Sequence, residues 1–178
     1  MGWPLVLGVL ERERLHDIVV VALRDPDGPD EPASALGDVF VQVDSGFLEI
    51  TSVGNHGGML VRHLDRIDLA GYRAEFPDDV PIPVAIGSHF LGGAFAVRCL
   101  RVEYTTDVDS DLARGVVRGL ELFLEHGQRI VFDPLNTWGV RVGNTGAWPS
   151  RVQDGPWPVQ RHTVSFSRSG PVRPPGAG

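Results

Sequence analysis

The stretch from Arg129 to Val142 gathers side chains suited to recognition. Arg129, Asp133, Trp138 and Arg141 surround a short loop that also holds Asn136 and Gly139. Arginine offers five donors in a planar fork and tryptophan a large rigid contact area, and both are enriched where proteins grip partners. The same residues have structural uses. Asp133 before Pro134 suits an Asx-turn, Asn136 a left-handed position and Gly139 a bulge. A second chemistry would come from His56, which with Asp133 and Arg141 would line a cleft for a small ligand or a hydrolytic reaction.

Acidic residues form two further groups. Asp107, Asp109 and Asp111 alternate in one loop, and Asp25, Asp27, Asp30 and Glu31 crowd another. Alternating carboxylates ligate calcium when a glycine bends the loop and a distal glutamate completes the shell, and Thr105 to Leu112 lacks that glycine. The expectation is a solvated acidic surface that attracts a basic protein partner and speeds its encounter.

Other chemistries lack their signatures. The six histidines and the acids show none of the short spacings of a zinc site. No phosphate-cradling glycine loop opens a helix, and no nucleophile elbow is present. No catalytic residue, metal or cofactor is assigned. A formal net charge of −7 argues against nucleic-acid binding, which needs accumulated positive charge. All sixteen basic residues are arginine, and Ala, Gly, Pro and Val abound, as in proteins of GC-rich bacterial genomes. The single cysteine, Cys99, forms no intramolecular disulfide and reads as a small buried hydrophobe. The apolar run Ile18 to Leu23 is far shorter than the roughly 20 residues of a membrane span. The N-terminus lacks the basic start of a signal peptide, so a cytoplasmic location is expected.

The elements that must position these residues are mostly strands. Residues 17–61 align without a gap on residues 98–142 at a constant offset of 81. Apolar residues coincide at 19/100, 21/102, 23/104, 39/120, 41/122, 43/124, 50/131, 59/140 and 61/142. This predicts a mainly β fold of two related antiparallel meanders, packed as a sandwich or as paired small barrels, with few short helices. An α+β fold with one central sheet is the alternative. Each unit holds a long strand, an acidic loop, a hairpin turning at Gly46 or Gly127, and a closing strand. The expected divisions are a first meander over 1–64, a connector over 65–83, a second meander over 84–145 and a Pro/Arg-rich tail over 146–178. Short helices are expected over Leu5 to Arg14 and within Ser110 to Arg118. One edge strand is expected within Val159 to Phe166, with a flexible end from Ser167. The tail carries a formal charge of about +3, leaving about −10 on the body. Trp138, Trp148 and Trp157 would anchor it.

In its hairpin from Gly119 to Pro134, Gly-Leu-Glu-Leu-Phe-Leu-Glu-His-Gly-Gln-Arg-Ile-Val-Phe-Asp-Pro, the chain resembles small uncharacterised bacterial proteins, including immunity-type domains that neutralise toxins. The resemblance covers about a tenth of the chain. It implies a noncatalytic inhibitor that occludes a basic partner. Set beside it are a small-ligand protein or hydrolase with a cleft between the two meanders, and a structural subunit that self-associates through edge strands.

Overall fold

The computed structural model describes residues 2–28, 34–54, 57–134, 139–144 and 159–166. The chain begins with helix α1 (Trp3–Arg12) and continues through β1 (Arg14–Arg24), β2 (Ser34–Val43), β3 (Gly46–Val53) and β4 (Gly58–Leu64). Helix α2 (Leu69–Glu75) and β5 (Val80–Ala85) follow, then a single 3-10 turn at Gly87–His89. The second half holds β6 (Val97–Thr106), β7 (Val116–Val117), β8 (Gly119–Leu124), β9 (Arg129–Pro134), β10 (Val140–Gly143) and β11 (Gln160–Ser165). The fold is mainly β, with strands in the order β10-β9-β8-β6-β1-β2-β3-β4-β7, while β5 adds to β1 and β11 to β6. Every pairing is antiparallel. Among the described residues the strand path stays open and does not close into a barrel.

Strand β1 explains the run Ile18 to Leu23. Leu15 and Ile18 enter the main core, whereas the alternate residues Val19 and Val21 enter a second, smaller one with Phe40. A strand covered on both faces needs continuous apolar sequence rather than alternation. Next to it, β2 shows the one-sided pattern in its inward Val39, Val41 and Val43. The inner faces of β1–β4 and of β6, β8, β9 and β10 share a single core, to which Val102, Leu120, Leu122, Ile130 and Phe132 contribute from the second half. The two meanders therefore fold over one another and bury a common interior.

Helix α1 closes that interior. Pro4 lies in its first turn, where a missing N–H leaves no gap in the helix ladder. Trp3, Val6, Val9 and Leu10 form its buried stripe, and the Trp3 ring sits 4.8 Å from that of Tyr104. The helix ends at Arg12, and Arg14, expected to be helical, opens β1.

Two expectations are corrected. Residues 65–83 are not merely a connector: they form α2 and supply the start of β5, which pairs with β1 from Val19↔Ala85 to Arg24↔Val80. Pro81 and Pro83 disguise that strand in the sequence. Ile86 donates its N–H to Ile18 O at 2.7 Å, so Ile82 and Val84 also face β1 and the two prolines face the outer edge. Residues 110–118 hold no helix. Asp111 bridges to Val116, and β7 then adds to β4.

The aligned apolar positions face the shared core in β2/β8 and β4/β10, but not in β1/β6, where Val21 enters the second core and Val102 the main one, and they slip by one in the third strand. Val43 pairs with Gly46 across a two-residue turn, whereas the β8–β9 turn needs Glu125, His126 and Gly127. The extra residue advances β9 by one. Ile50 thus corresponds in position to the buried Phe132, opposite Val39 and Leu120 respectively, while Val131 turns outward.

Among the described residues no helix is long and apolar enough to cross a membrane. The tail from Ser167, Trp138, Trp148 and Trp157 lie outside the described residues, and Val159 to Phe166 contains the expected edge strand, β11.

Gly139 marks where the start of β10 crosses β2. Its φ is +97°, and an added Cβ would lie 2.2 Å from the Gly37 Cα. Gly139→Ala should therefore lower stability by about 2–4 kcal/mol, through left-handed strain plus backbone overlap. Urea denaturation would measure it.

Candidate partner-binding surface

Arg129, Asp133 and Arg141 lie on the outer face of the second half-sheet, where the register matches each charge with an opposite one. Asp133 and Arg141 are direct cross-strand neighbours and form an ion pair, with Asp133 buried. Arg129 pairs with Glu121, and Arg101 and Arg161 both approach Glu103, at 3.5 and 3.8 Å. Phe123 lies between two guanidiniums, 3.7 Å from that of Arg101 and 5.4 Å from that of Arg129. Such stacking uses the planar arginine fork, which lysine lacks. A partner approaching this face meets matched charges rather than an acidic field. His56, the third residue of the expected cleft, lies outside the described residues, as does Trp138.

The acidic loop after β6 divides by function. The Asp107 side chain is 1% exposed, with Arg118 Nε 2.7 Å from its Oδ2. Its Oδ1 accepts the Asp109 N–H at 3.0 Å and the Ser110 hydroxyl at 3.1 Å. It is an internal brace of the turn. Asp111 accepts the Arg114 N–H at 3.2 Å and closes the loop. Asp109 stands exposed at the tip beside Val108, itself 68% exposed.

A further acidic region arises from a pairing invisible in the sequence. Because Arg24 lies opposite Val80, residues leaving the end of β1 and those entering β5 emerge from the same end of the sheet. Asp25, Asp27 and Asp78 are exposed there and Asp79 is half-buried. The Asp27 N–H donates to Asp25 Oδ1 at 2.9 Å and shapes the turn.

Two further polar clusters form from residues far apart in the sequence. On the outer face of β2–β4, Asp38 accepts the Tyr72 hydroxyl at 2.6 Å and the Thr51 hydroxyl, while Glu49 pairs with Arg62 directly opposite. Burial first, and the Asp38 carboxylate second, push the Tyr72 phenol well above its ordinary range, so it remains a donor. Together with Phe47, Leu64, Ile67 and Leu69 around the second core, this network fastens α2 to the sheet. Its members belong to no short motif, so spacing along the chain held no signal.

The other cluster lies at the β2–β3 turn. Ser45 Oγ is 2.8 Å from both Glu13 carboxylate oxygens and 2.9 Å from His63 Nε2. An activated serine needs a base oriented by a third group. Here the acid lies on the serine rather than on the imidazole, and it also takes the Ser45 N–H at 2.8 Å. Glu13 thus caps the turn and ties it to the end of α1.

Among the described residues no group of three or more His, Cys, Asp or Glu could hold a metal ion. Burial pushes the Cys99 thiol up to about 12, and it donates to Arg101 O at 3.3 Å. No protein family, curated protein or solved structure matches the chain.

Two measurements check this sorting. Asp107→Ala should cost on the order of 3–5 kcal/mol in chemical denaturation, because it strands Arg118, whereas Asp109→Ala should stay within about 0.5 kcal/mol. At pH 8, a thiol reagent should label Cys99 no faster than the protein opens, since both burial and the raised pKa withhold the thiolate.

Proposed function

We propose that this protein is a noncatalytic binding protein that engages a basic protein partner through an acidic surface, as an immunity-type inhibitor would. One observation carries the reading: the pairing of β1 with β5 collects Asp25, Asp27, Asp78 and Asp79 at one end of the sheet. On the strand faces Glu49, Glu103, Glu121 and Asp133 sit against arginines and Asp38 against two hydroxyls, while the Asp25, Asp27 and Asp78 side chains stand exposed at the strand ends. The field of these exposed acids raises the encounter rate with a positively charged partner and disfavours negatively charged ones. The exposed tip of Val108 and Asp109 adds a small apolar contact with an acidic neighbour. Pro81 and Pro83 remove two N–H donors from the outer edge of β5, which favours engagement by charge over strand addition there.

The test is capture from a native bacterial lysate at low and at high salt, with the wild type and with Asp25→Asn/Asp27→Asn/Asp78→Asn/Asp79→Asn. The expected result is a basic protein retained by the wild type at low salt, released at high salt and bound at least tenfold more weakly by the variant. Equal retention by the two proteins, or no basic protein at either salt, overturns the proposal. Unchanged thermal stability of the variant would establish that the surface, not the fold, was altered.

A further inference from the structure

Where the two half-sheets meet, the ladder between β1 and β6 consists of two residue pairs, Arg14 with Arg98 and Leu15 with Val97. Directly opposed arginines repel, so this seam needs support. His16 supplies it. Its Nε2 lies 2.6 Å from Asp44 Oδ1 and its Nδ1 lies 3.2 Å from Phe95 O. A carboxylate and a carbonyl are both acceptors, so the two bonds form together only when both ring nitrogens carry protons. Arg14 follows the same path: its backbone N–H donates to Asp44 Oδ2 at 2.9 Å and its guanidinium donates to Ala96 O at 3.2 Å.

We propose that His16 is a pH-sensitive latch. As an imidazolium it ties the β2–β3 turn to the segment entering β6, and its deprotonation releases one of the two ties and loosens the seam.

The surrounding charges are consistent with this role. On its own strand and the residue before it stand Glu13, Arg14 and Asp17. Glu13 is engaged by Ser45, and Asp17 Oδ1 accepts the N–H groups of Ile18 and Gly87. From β4, His63 contacts Ser45. From β6, Arg98 donates its N–H to Glu125 Oε1 at 3.0 Å, with His126 3.9 Å from that oxygen. Asp44 is thus the carboxylate that meets the ring. The Arg14 N–H first, and His16 second, hold the Asp44 carboxyl below its ordinary range. Its contribution to stability is present above the unfolded-state value and lost as pH falls through the lower folded-state value. The latch is therefore complete only between protonation of Asp44 at the acid end and deprotonation of His16 at the other.

His16 and Asp44 are 34% and 50% exposed, so solvent screens the pair and its effect is local. What it controls is the segment carrying Phe95, whose side chain is 90% exposed beside the seam. Presentation of that aromatic surface would follow the latch.

Amide hydrogen exchange by NMR tests the proposal at Arg14, Leu15, Val97 and Arg98. After correction for intrinsic rates, protection in the wild type should fall about tenfold from pH 5 to pH 8, the loss of about one hydrogen bond across the histidine range. His16→Gln keeps one donor and one acceptor at every pH and should show no such fall. Equal pH dependence in the two proteins, or none in the wild type, overturns the latch. Ring nitrogen shifts of the wild type give a second reading that needs no variant. Two protonated nitrogens at pH 5 and one at pH 8 support it, and a singly protonated ring at pH 5 overturns it.

Discussion

Burial of β1 on both faces is the constraint on which the rest of the structure depends. This strand pairs with β2 along one side and with β6 and then β5 along the other, and its alternate residues enter two different cores. Each consequence follows from covering it. The second half-sheet folds over to cover one face, α2 covers the other, and β5 satisfies the edge that β6 leaves when it diverges. Buried backbone groups on a strand so enclosed have no water to turn to, so every ladder position must find a partner within the fold.

Charge is organised around the same frame. Outward-facing strand positions would expose acids to one another: Glu103 and Glu121, for example, lie directly opposite. Arg101 on the same strand as Glu103 and Arg129 on the strand next to Glu121 cover them, and Phe123 gives those two guanidiniums a surface to lie on. A chain with arginine as its only strong cation is suited to this arrangement, because the planar fork can pair with a carboxylate and stack on a ring at once. The net negative charge then expresses itself from loops and strand ends, where the register of β1 with β5 brings separate acidic segments together.

Much of the strand content was legible in the sequence because side-chain patterning marks a strand. Val39, Val41 and Val43 alternate as the residues of a strand do, Ile18 to Leu23 read as a strand without revealing that both its faces are covered, and Gly46 and Gly127 marked their hairpins. The β9 register was not legible from a gapless alignment, since one extra turn residue exchanges Val131 for Phe132 on the core side. β5 was hidden because Pro81 and Pro83 argue against a strand until it is known that their edge faces outward. Asp107 looked like a member of an exposed acidic loop. Only the position of Arg118 reveals it as a buried brace. The candidate surface was half visible for the same reason: Asp25 and Asp27 stood out as acids, but nothing in their own segment linked them to Asp78 and Asp79.

The sequence alone determined that this is a mainly β protein with interior alternation, glycine turns, an apolar N-terminal helix and an excess of negative charge. Those properties depend on residue type and on spacing of a few positions, which local geometry converts directly into structure. The tertiary structure decided which strands pair, which acids are neutralised, which glycine must admit another backbone, and which histidine spans the seam. Those outcomes depend on residues tens of positions apart becoming neighbours, and side-chain periodicity records that a face is covered without recording what covers it.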